Sequence, residues 1–105
     1  MLHILLALAR ESMHGYAISQ DVEAQTEGAV RLGPGTLYGS LQRLVEQRLI
    51  REVNASADAE GAHVGRRRYY GITVLGRRAL RADAERLAAA VRLTRARLGP
   101  AAERS

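Results

Sequence analysis

The sequence predicts a mainly α fold with a small β-hairpin and a long C-terminal helix. The first nine residues are apolar on almost every side, and apolar side chains recur at helical spacing in three further segments, 14–26, 34–46 and 73–98. The stretches 49–53 and 66–72 are rich in β-forming residues, and the run between them is typical of a long hairpin loop. The 105-residue chain contains no Phe and no Trp, so aliphatic side chains and four tyrosines must fill its core.

The first two helices differ in how clearly the sequence defines them. A uniformly apolar segment of nine residues is typical of a short helix that another element or a second subunit buries, although its length also fits a buried strand. The second helix is expected to start after Ser12, which stands in an N-cap position. Ile18 and Val22 lie one turn apart in this helix, and Gly28 supplies a left-handed stop.

The third helix has the clearest division into two faces. Pro34 occupies a first-turn position, where its missing N–H is not needed. Four apolar residues define the buried face, namely Leu37, Leu41, Leu44 and Val45. The opposite face is free for a partner and carries Thr36, Gly39, Gln42, Arg43 and Glu46.

The last helix is expected from a cap at Thr73 to about Leu98, which makes it roughly 39 Å long. Its apolar positions alternate at spacings of four and three, at Leu80, Ala84, Leu87, Val91, Thr94 and Leu98. We call these six residues the seam. Its length predicts that a second subunit packs against it, and the alternative is that the helix folds back onto its own domain. We therefore divide the chain into a domain at 1–72, a dimerisation helix at 73–98 and a tail at 99–105.

Several functional classes are excluded by composition. The absence of Cys excludes disulfides and thiolate nucleophiles, and the absence of Lys excludes a Walker-type phosphate loop. The three histidines lie in different elements, and no Ser sits in a nucleophile elbow. We therefore expect no enzymatic activity, no metal and no cofactor. The longest apolar stretch, Ile4 to Ala9, is too short to cross a bilayer, which favours a cytoplasmic protein.

The order of elements and the charges together favour nucleic acid as the partner. Two short helices followed by a hairpin is the order found in a winged helix-turn-helix, whose second helix enters the DNA major groove. The chain carries a net charge of +5, with the largest excess of Arg in the last helix. Those arginines lie all around the polar arc, which is also typical of a solvated helix.

Three local features fit contacts to DNA, and each has a structural alternative. The sequence Gly33-Pro34-Gly35-Thr36 opens the third helix with accessible N–H groups that can bind a phosphate, or it simply makes a tight turn. The consecutive arginines 66–68 must project from both faces of the hairpin, or they form a solvated surface. The Tyr38 hydroxyl can reach a phosphate, or Tyr38 is a core residue with a wet tip.

Three separated motifs follow one another along the chain, namely ILLALARESMHGYAI, GPGTLYGSLQRLVEQRLI and RRRYYGITVLG. Together they resemble the PadR family of transcriptional regulators, and the resemblance covers about residues 2–98. It implies a winged-helix homodimer in which the helix with GTLY reads DNA and the Arg-rich strand belongs to the wing. The single long C-terminal helix is similar to the short branch of the family. Members commonly repress genes for detoxification, drug efflux or phenolic-acid breakdown, and some release DNA on binding a small aromatic compound.

The resemblance and the pattern together give two sets of candidate site residues. The residues expected to contact DNA are Gly35, Thr36, Tyr38, Ser40, Gln42, Arg43, Arg66, Arg67 and Arg68. The first and last helices are expected to form the dimer interface, through Leu2, Leu5, Leu6, Leu80, Ala84, Leu87, Val91 and Leu98.

The chain departs from the family pattern at two positions. Gly39 stands where relatives have proline, which loosens the third helix, and Arg48 stands where relatives have glycine. A Cβ at Arg48 disfavours the left-handed turn, so the route from this helix to the wing is open to change. The absence of Trp removes the residue with which some relatives stack aromatic drugs at the dimer centre.

The sequence is interpreted as a dimeric, sequence-specific regulator of double-stranded promoter DNA, with repression as the expected activity. The resemblance leaves open a small-molecule effector. Two alternatives stand beside this interpretation: a winged-helix module that binds another protein, and a nonspecific nucleic-acid binder.

Overall fold

The computed structural model describes residues 2–53 and 68–99. The elements follow one another as α1 (Leu2–Arg10), β1 (Met13–His14), α2 (Gly15–Gln25), α3 (Pro34–Glu46), β2 (Ile50–Val53), β3 (Tyr69–Ile72) and α4 (Val74–Leu98). The predicted mainly α fold with a small sheet and a long C-terminal helix is confirmed. The predicted hairpin loop lies outside the described residues.

The sheet has three antiparallel strands in the order β1-β3-β2. The strands β2 and β3 form the predicted hairpin, with Ile50 opposite Ile72 and Glu52 opposite Tyr70. The strand β1 adds the pair Met13 and Tyr70 on the other side. The sequence did not indicate the additional strand β1, because a strand of two residues is too short to show an alternating pattern.

The start of α2 also differs from the prediction. The N-cap is His14, whose Nδ1 accepts a hydrogen bond from the Ala17 N–H at 3.3 Å, and Ser12 does not cap the helix. Pairing of β1 with β3 extends the backbone through His14, so the helix cannot begin earlier. The predicted left-handed stop is confirmed, since Gly28 has φ 85° and its N–H donates to the Glu23 carbonyl.

The core lies between the three short helices and the sheet. It consists of Ile4, Leu5, Ala7, Leu8, Met13, Ile18, Val22, Leu37, Leu41, Leu44, Ile50 and Tyr70. Leu80 of α4 packs against this core, but every described residue from Ala84 to Gly99 is exposed. The second half of α4 therefore has no cover within the described part of its own chain.

The first turn of α4 is joined tightly to the turn between α3 and β2. The Thr73 hydroxyl accepts a hydrogen bond from the Gly76 N–H at 2.9 Å, which confirms the predicted cap. The same hydroxyl donates to the Arg48 carbonyl at 2.7 Å, with the Leu49 carbonyl at 3.0 Å. The Thr73 N–H donates to the Leu49 carbonyl at 3.1 Å. Thr73 is therefore hydrogen-bonded both to the first turn of α4 and to the turn that follows α3.

The turn after α3 keeps a left-handed residue although no glycine is present there. Arg48 has φ 65°, so the chain enters β2 by the route that a glycine would allow. A non-glycine residue in this conformation costs roughly 1 kcal/mol or more. The chain therefore does not take a different route from α3 to β2 at Arg48. Helix α3 likewise runs without a break through Gly39.

Gly76→Ala is expected to destabilise the fold by about 2 to 3 kcal/mol. A Cβ at Gly76 would overlap the Leu49 carbonyl oxygen and lie 2.8 Å from Ile72 Cγ1, so α4 would have to move away from the sheet. Urea unfolding followed by circular dichroism measures the change. The matched control is Gly39→Ala, whose Cβ would meet nothing within 4 Å and should stabilise α3 by about 0.5 to 1 kcal/mol. Equal stability of the two variants would contradict this account of Gly76.

Candidate nucleic-acid interface

Helix α3 presents a polar face directed away from the core. Leu37, Leu41 and Leu44 are buried, while the polar residues and glycines of the helix lie on the other side. Gly35, Thr36, Gln42 and Arg43 are exposed, and Ser40 is half-buried. A helix with this division can enter a groove with its outer face and remain anchored through its leucines.

The outer face of α3 carries an exposed cation, Arg43, which can contact an external partner. No described residue forms an ion pair with Arg43, whereas Gln42 Nε2 donates to a Glu46 carboxylate oxygen at 3.5 Å. An exposed guanidinium has five N–H donors in a planar fork and suits two acceptors side by side. Such acceptor pairs occur on a guanine edge and on a phosphate group.

The N-terminus of α3 is open to solvent. Gly33 is the N-cap and makes no side-chain capping bond, and Pro34 occupies the first turn. Gly33, Pro34, Gly35 and Thr36 are all exposed, and a Cβ built on Gly33 or Gly35 would meet nothing within 4 Å. The first-turn N–H groups therefore remain accessible to an external acceptor.

Of the three predicted wing arginines, the structure describes only Arg68. Arg66 and Arg67 lie outside the described residues. Arg68 Nη1 lies 3.5 Å from Glu52 Oε2 across the strand pair, and both side chains are more than half exposed. An exposed ion pair of this kind is worth less than about 1 kcal/mol, so Arg68 can exchange Glu52 for another anion. Glu52 is not among the residues predicted from the sequence, although the alternating pattern of strand 49–53 could have placed it beside the arginines.

The base of the wing is held by two tyrosines. Tyr70 is buried, and its burial, together with the nearby Glu52 carboxylate, raises the pKa of its phenol, while Arg68 acts in the opposite direction. The Tyr69 ring meets the His14 ring edge to face, with 5.5 Å between the ring centres. The wing strand is therefore attached to the segment that precedes α2.

Tyr38 lies at the boundary between the buried and exposed faces of α3. Its side chain is 48% exposed, so it is not a core residue with only its tip in water. The Tyr38 hydroxyl and the Cζ–Cε1 edge of its ring lie against Gly15 at the start of α2.

A second surface is formed by α1 and α4 together. An open groove of about 440 Å³ is lined by Leu2, Leu6, Arg77, Leu80, Arg81, Ala84 and Leu87. Three large apolar residues of the predicted seam are exposed, namely Leu87, Val91 and Leu98, and the smaller seam residues Ala84 and Thr94 are exposed as well. Leu5 does not belong to this surface, since it is 2% exposed and packs in the core of its own chain. The interface predicted from sequence therefore loses this one residue, because α1 turns Leu5 inward and Leu6 outward.

Two negative findings apply to residues 2–53 and 68–99. Among them, no group of three or more His, Asp or Glu side chains is arranged to hold a metal ion. Within the same ranges, no helix combines the length and the apolarity that crossing a membrane requires.

Comparison with known proteins gives a consistent result. Residues 4–82 match the transcriptional regulator PadR-like family. The chain is 40% identical over 85 residues to an uncharacterised 37.1 kDa protein in transposon TN4556 of Streptomyces fradiae. This match covers 81% of the chain and 22% of the relative, so the chain spans about a fifth of that protein's length.

Two solved structures have the same fold. A PadR family transcription regulator from Clostridium difficile superposes with a TM-score of 0.73 at 24% identity, over 93% of this chain and 98% of that one. Bacillus subtilis PadR in complex with operator DNA superposes with a TM-score of 0.64 at 18% identity, over 77% of this chain and 42% of that one. At these identities the likeness concerns the fold, and it confirms the predicted winged helix-turn-helix with its long C-terminal helix.

The raised pKa of Tyr70 predicts a loss of stability at alkaline pH. The unfolded chain releases this proton near the ordinary pKa of 10.0 and the folded chain releases it later. The free energy of unfolding should therefore fall as the pH rises above that value, until the folded pKa is passed. Urea unfolding between about pH 9 and about pH 11 measures this dependence.

Tyr70→Phe should make the alkaline dependence less steep than in the wild type. Tyr16→Phe is the matched control, because Tyr16 is 66% exposed, and it should leave the slope unchanged. The same slope in wild type and Tyr70→Phe would contradict the assignment to Tyr70.

Proposed function

Because the chain belongs to the PadR-like family of transcriptional regulators, we propose that it is a dimeric repressor that binds double-stranded operator DNA in a sequence-specific manner. The observation that carries the proposal is the outer face of α3, where Arg43 has no ion-pair partner among the described residues and the helix N-terminus is uncovered. A guanidinium and free N–H groups on one helix are the groups that read base edges and hold phosphates.

In the proposed complex, α3 lies in the major groove. Thr36, Gln42 and Arg43 face the base edges, and the N–H groups at Gly35 contact the phosphate backbone. Arg68 exchanges Glu52 for a phosphate of the neighbouring backbone, and Arg66 and Arg67 are assigned to the same wing contact. Base contacts then supply sequence preference, while the phosphate contacts fix position and affinity.

A second copy of the chain is proposed to cover the groove between α1 and α4. The lining is largely aliphatic, and its continuation along α4 at Val91 and Leu98 is exposed in the single chain. Burying one such leucine contributes about 1.5 to 3 kcal/mol, which is a large share of the stability of a small domain. Two-fold symmetry then presents two α3 helices to half-sites about 34 Å apart, and occupancy of a promoter by the dimer blocks transcription.

Selection of bound duplexes from a random pool at physiological salt tests the proposal. Enrichment of a palindrome supports specific binding by a symmetric dimer. Retention of duplexes without any enriched sequence would support a nonspecific binder instead. A chain that retains no duplex would overturn the proposal in favour of a module that binds protein.

Arg43→Ala is expected to relax preference at one base pair of the selected duplex by about 1 to 3 kcal/mol, because it removes a bidentate guanine contact. Titration of duplexes substituted at each position, with fluorescence anisotropy as the readout, measures the change. Arg86→Ala is the matched control, since Arg86 pairs with Asp83 on α4, far from α3 in the chain. Equal loss of affinity for every duplex would make Arg43 a phosphate contact and move base reading elsewhere.

Leu87→Asp is expected to convert the dimer to a monomer and to abolish operator binding. The substitution places an unpaired carboxylate in the seam of both subunits at once. Leu93→Asp is the matched control, because Leu93 is 50% exposed, like Leu87 at 51%, but lies outside the alternation of four and three. Sedimentation velocity distinguishes the two variants. A dimeric Leu87→Asp protein, or a wild-type monomer at tens of micromolar, would contradict the proposed interface.

A further inference from the structure

The first residue of α2, Gly15, lies directly against the ring of Tyr38. A Cβ built on Gly15 would overlap the Tyr38 hydroxyl oxygen and lie 2.8 Å from Cζ and 3.1 Å from Cε1. These separations are well inside van der Waals contact, so the tyrosine ring occupies the volume that a side chain at position 15 would need. Helices α2 and α3 therefore meet here through a bare backbone and an aromatic ring.

Backbone conformation does not explain the glycine at this position. Among the described residues, positive φ angles at glycine occur at Gly28 and Gly99, and Gly15 is not one of them. Gly15 belongs to α2, and alanine is in general a better helix former than glycine. The ring of Tyr38 is thus the feature of the structure that requires a residue without a Cβ.

The backbone under the ring is held from two sides. His14 Nδ1 accepts from the Ala17 N–H at 3.3 Å, which ties this segment to α2. The His14 ring also packs on Tyr69 of the wing strand, with ring centres 5.5 Å apart. Gly15 therefore offers Tyr38 a surface that cannot shift without disturbing α2 and the wing together.

We propose that Gly15 is a positioning residue for the DNA interface, because it holds the ring of Tyr38 and thereby sets the place of the Tyr38 hydroxyl. The inference rests on the proposed function and adds one contact to it, in which the Tyr38 hydroxyl donates to a phosphate oxygen. Tyr38 is 48% exposed, so a Cβ at position 15 would rotate the ring into solvent and move the hydroxyl away from that oxygen. The core residues Leu37 and Leu41 would stay in place, and α3 would keep its helix.

A double-mutant cycle on the full chain tests the inference. The variants are Gly15→Ala, Tyr38→Ala and the double substitution, with the duplex selected by the wild type as probe. Each single variant should lose about tenfold in affinity, the effect of one hydrogen bond to a charged group. The double variant should lose no more than Tyr38→Ala alone, because removal of the ring leaves room for the methyl group that Gly15→Ala introduces.

Two further variants separate positioning from general damage. Tyr38→Phe keeps the ring and removes the hydroxyl, so it should match Tyr38→Ala in affinity loss. Gln20 is an exposed residue of α2, the helix that begins at Gly15. The Gln20→Ala variant should therefore bind the duplex as the wild type does. Thermal melting of Gly15→Ala should stay within a few degrees of the wild type, since the loss lies in the orientation of one exposed ring.

The outcomes distinguish this inference from the proposed function. A wild-type chain that binds no duplex would overturn both. If the wild type binds the duplex, two results would overturn only the role of Gly15. They are wild-type affinity in Gly15→Ala and fully additive losses in the double variant. Losses that do not add, at unchanged melting temperature, support it.

Discussion

The packing of the first turn of α4 against the turn between α3 and β2 determines how the other surfaces are arranged. Gly76 allows the helix backbone to approach the Leu49 carbonyl, and Thr73 bonds to the carbonyls of Arg48 and Leu49. This one junction fixes the end of α3, the start of the wing and the direction of α4. The outer face of α3 and the apolar seam of α4 consequently hold a constant relation within one subunit, which a symmetric dimer needs in order to meet two half-sites at a set distance.

The same arrangement leaves the domain with too little cover for its longest helix. The core is aliphatic apart from Tyr70, and of α4 only Gly76 is fully buried and Leu80 packs against the core. A chain of this size has a small free energy of unfolding. Burial of the apolar side chains along the seam would contribute a large share of that free energy. Folding and association are therefore coupled in the proposed dimer, and the free energy of unfolding is expected to depend on protein concentration.

Sequence patterns predicted the elements whose signals are local. Pro34 and the spacing of the leucines located α3, and Thr73 located the start of α4 to the residue. The strand β1 and the cap at His14 were missed, because they depend on pairing with β3, which lies more than 50 residues away in the chain. For the site, the exposed face of α3 follows from helical periodicity. The close approaches at Gly15 and Gly76 involve partners on other elements, so nothing in the local sequence distinguishes these glycines from Gly35 or Gly39.

Arg48 shows why a residue in an unfavourable conformation is tolerated at this junction. The turn is closed by the Leu49 N–H, which donates to the Leu44 carbonyl at 3.0 Å, and by the Arg48 N–H, which donates to the Val45 carbonyl at 2.9 Å. Thr73 adds a hydrogen bond from the far side, to the Arg48 carbonyl itself. Three hydrogen bonds of about 1 kcal/mol each exceed the cost of a left-handed arginine, so the surrounding contacts impose the turn and the side chain does not select it. The strain is therefore a consequence of fixing α4 on the core, and it lies at the point where the helix proposed to face DNA meets the helix proposed to face a second subunit.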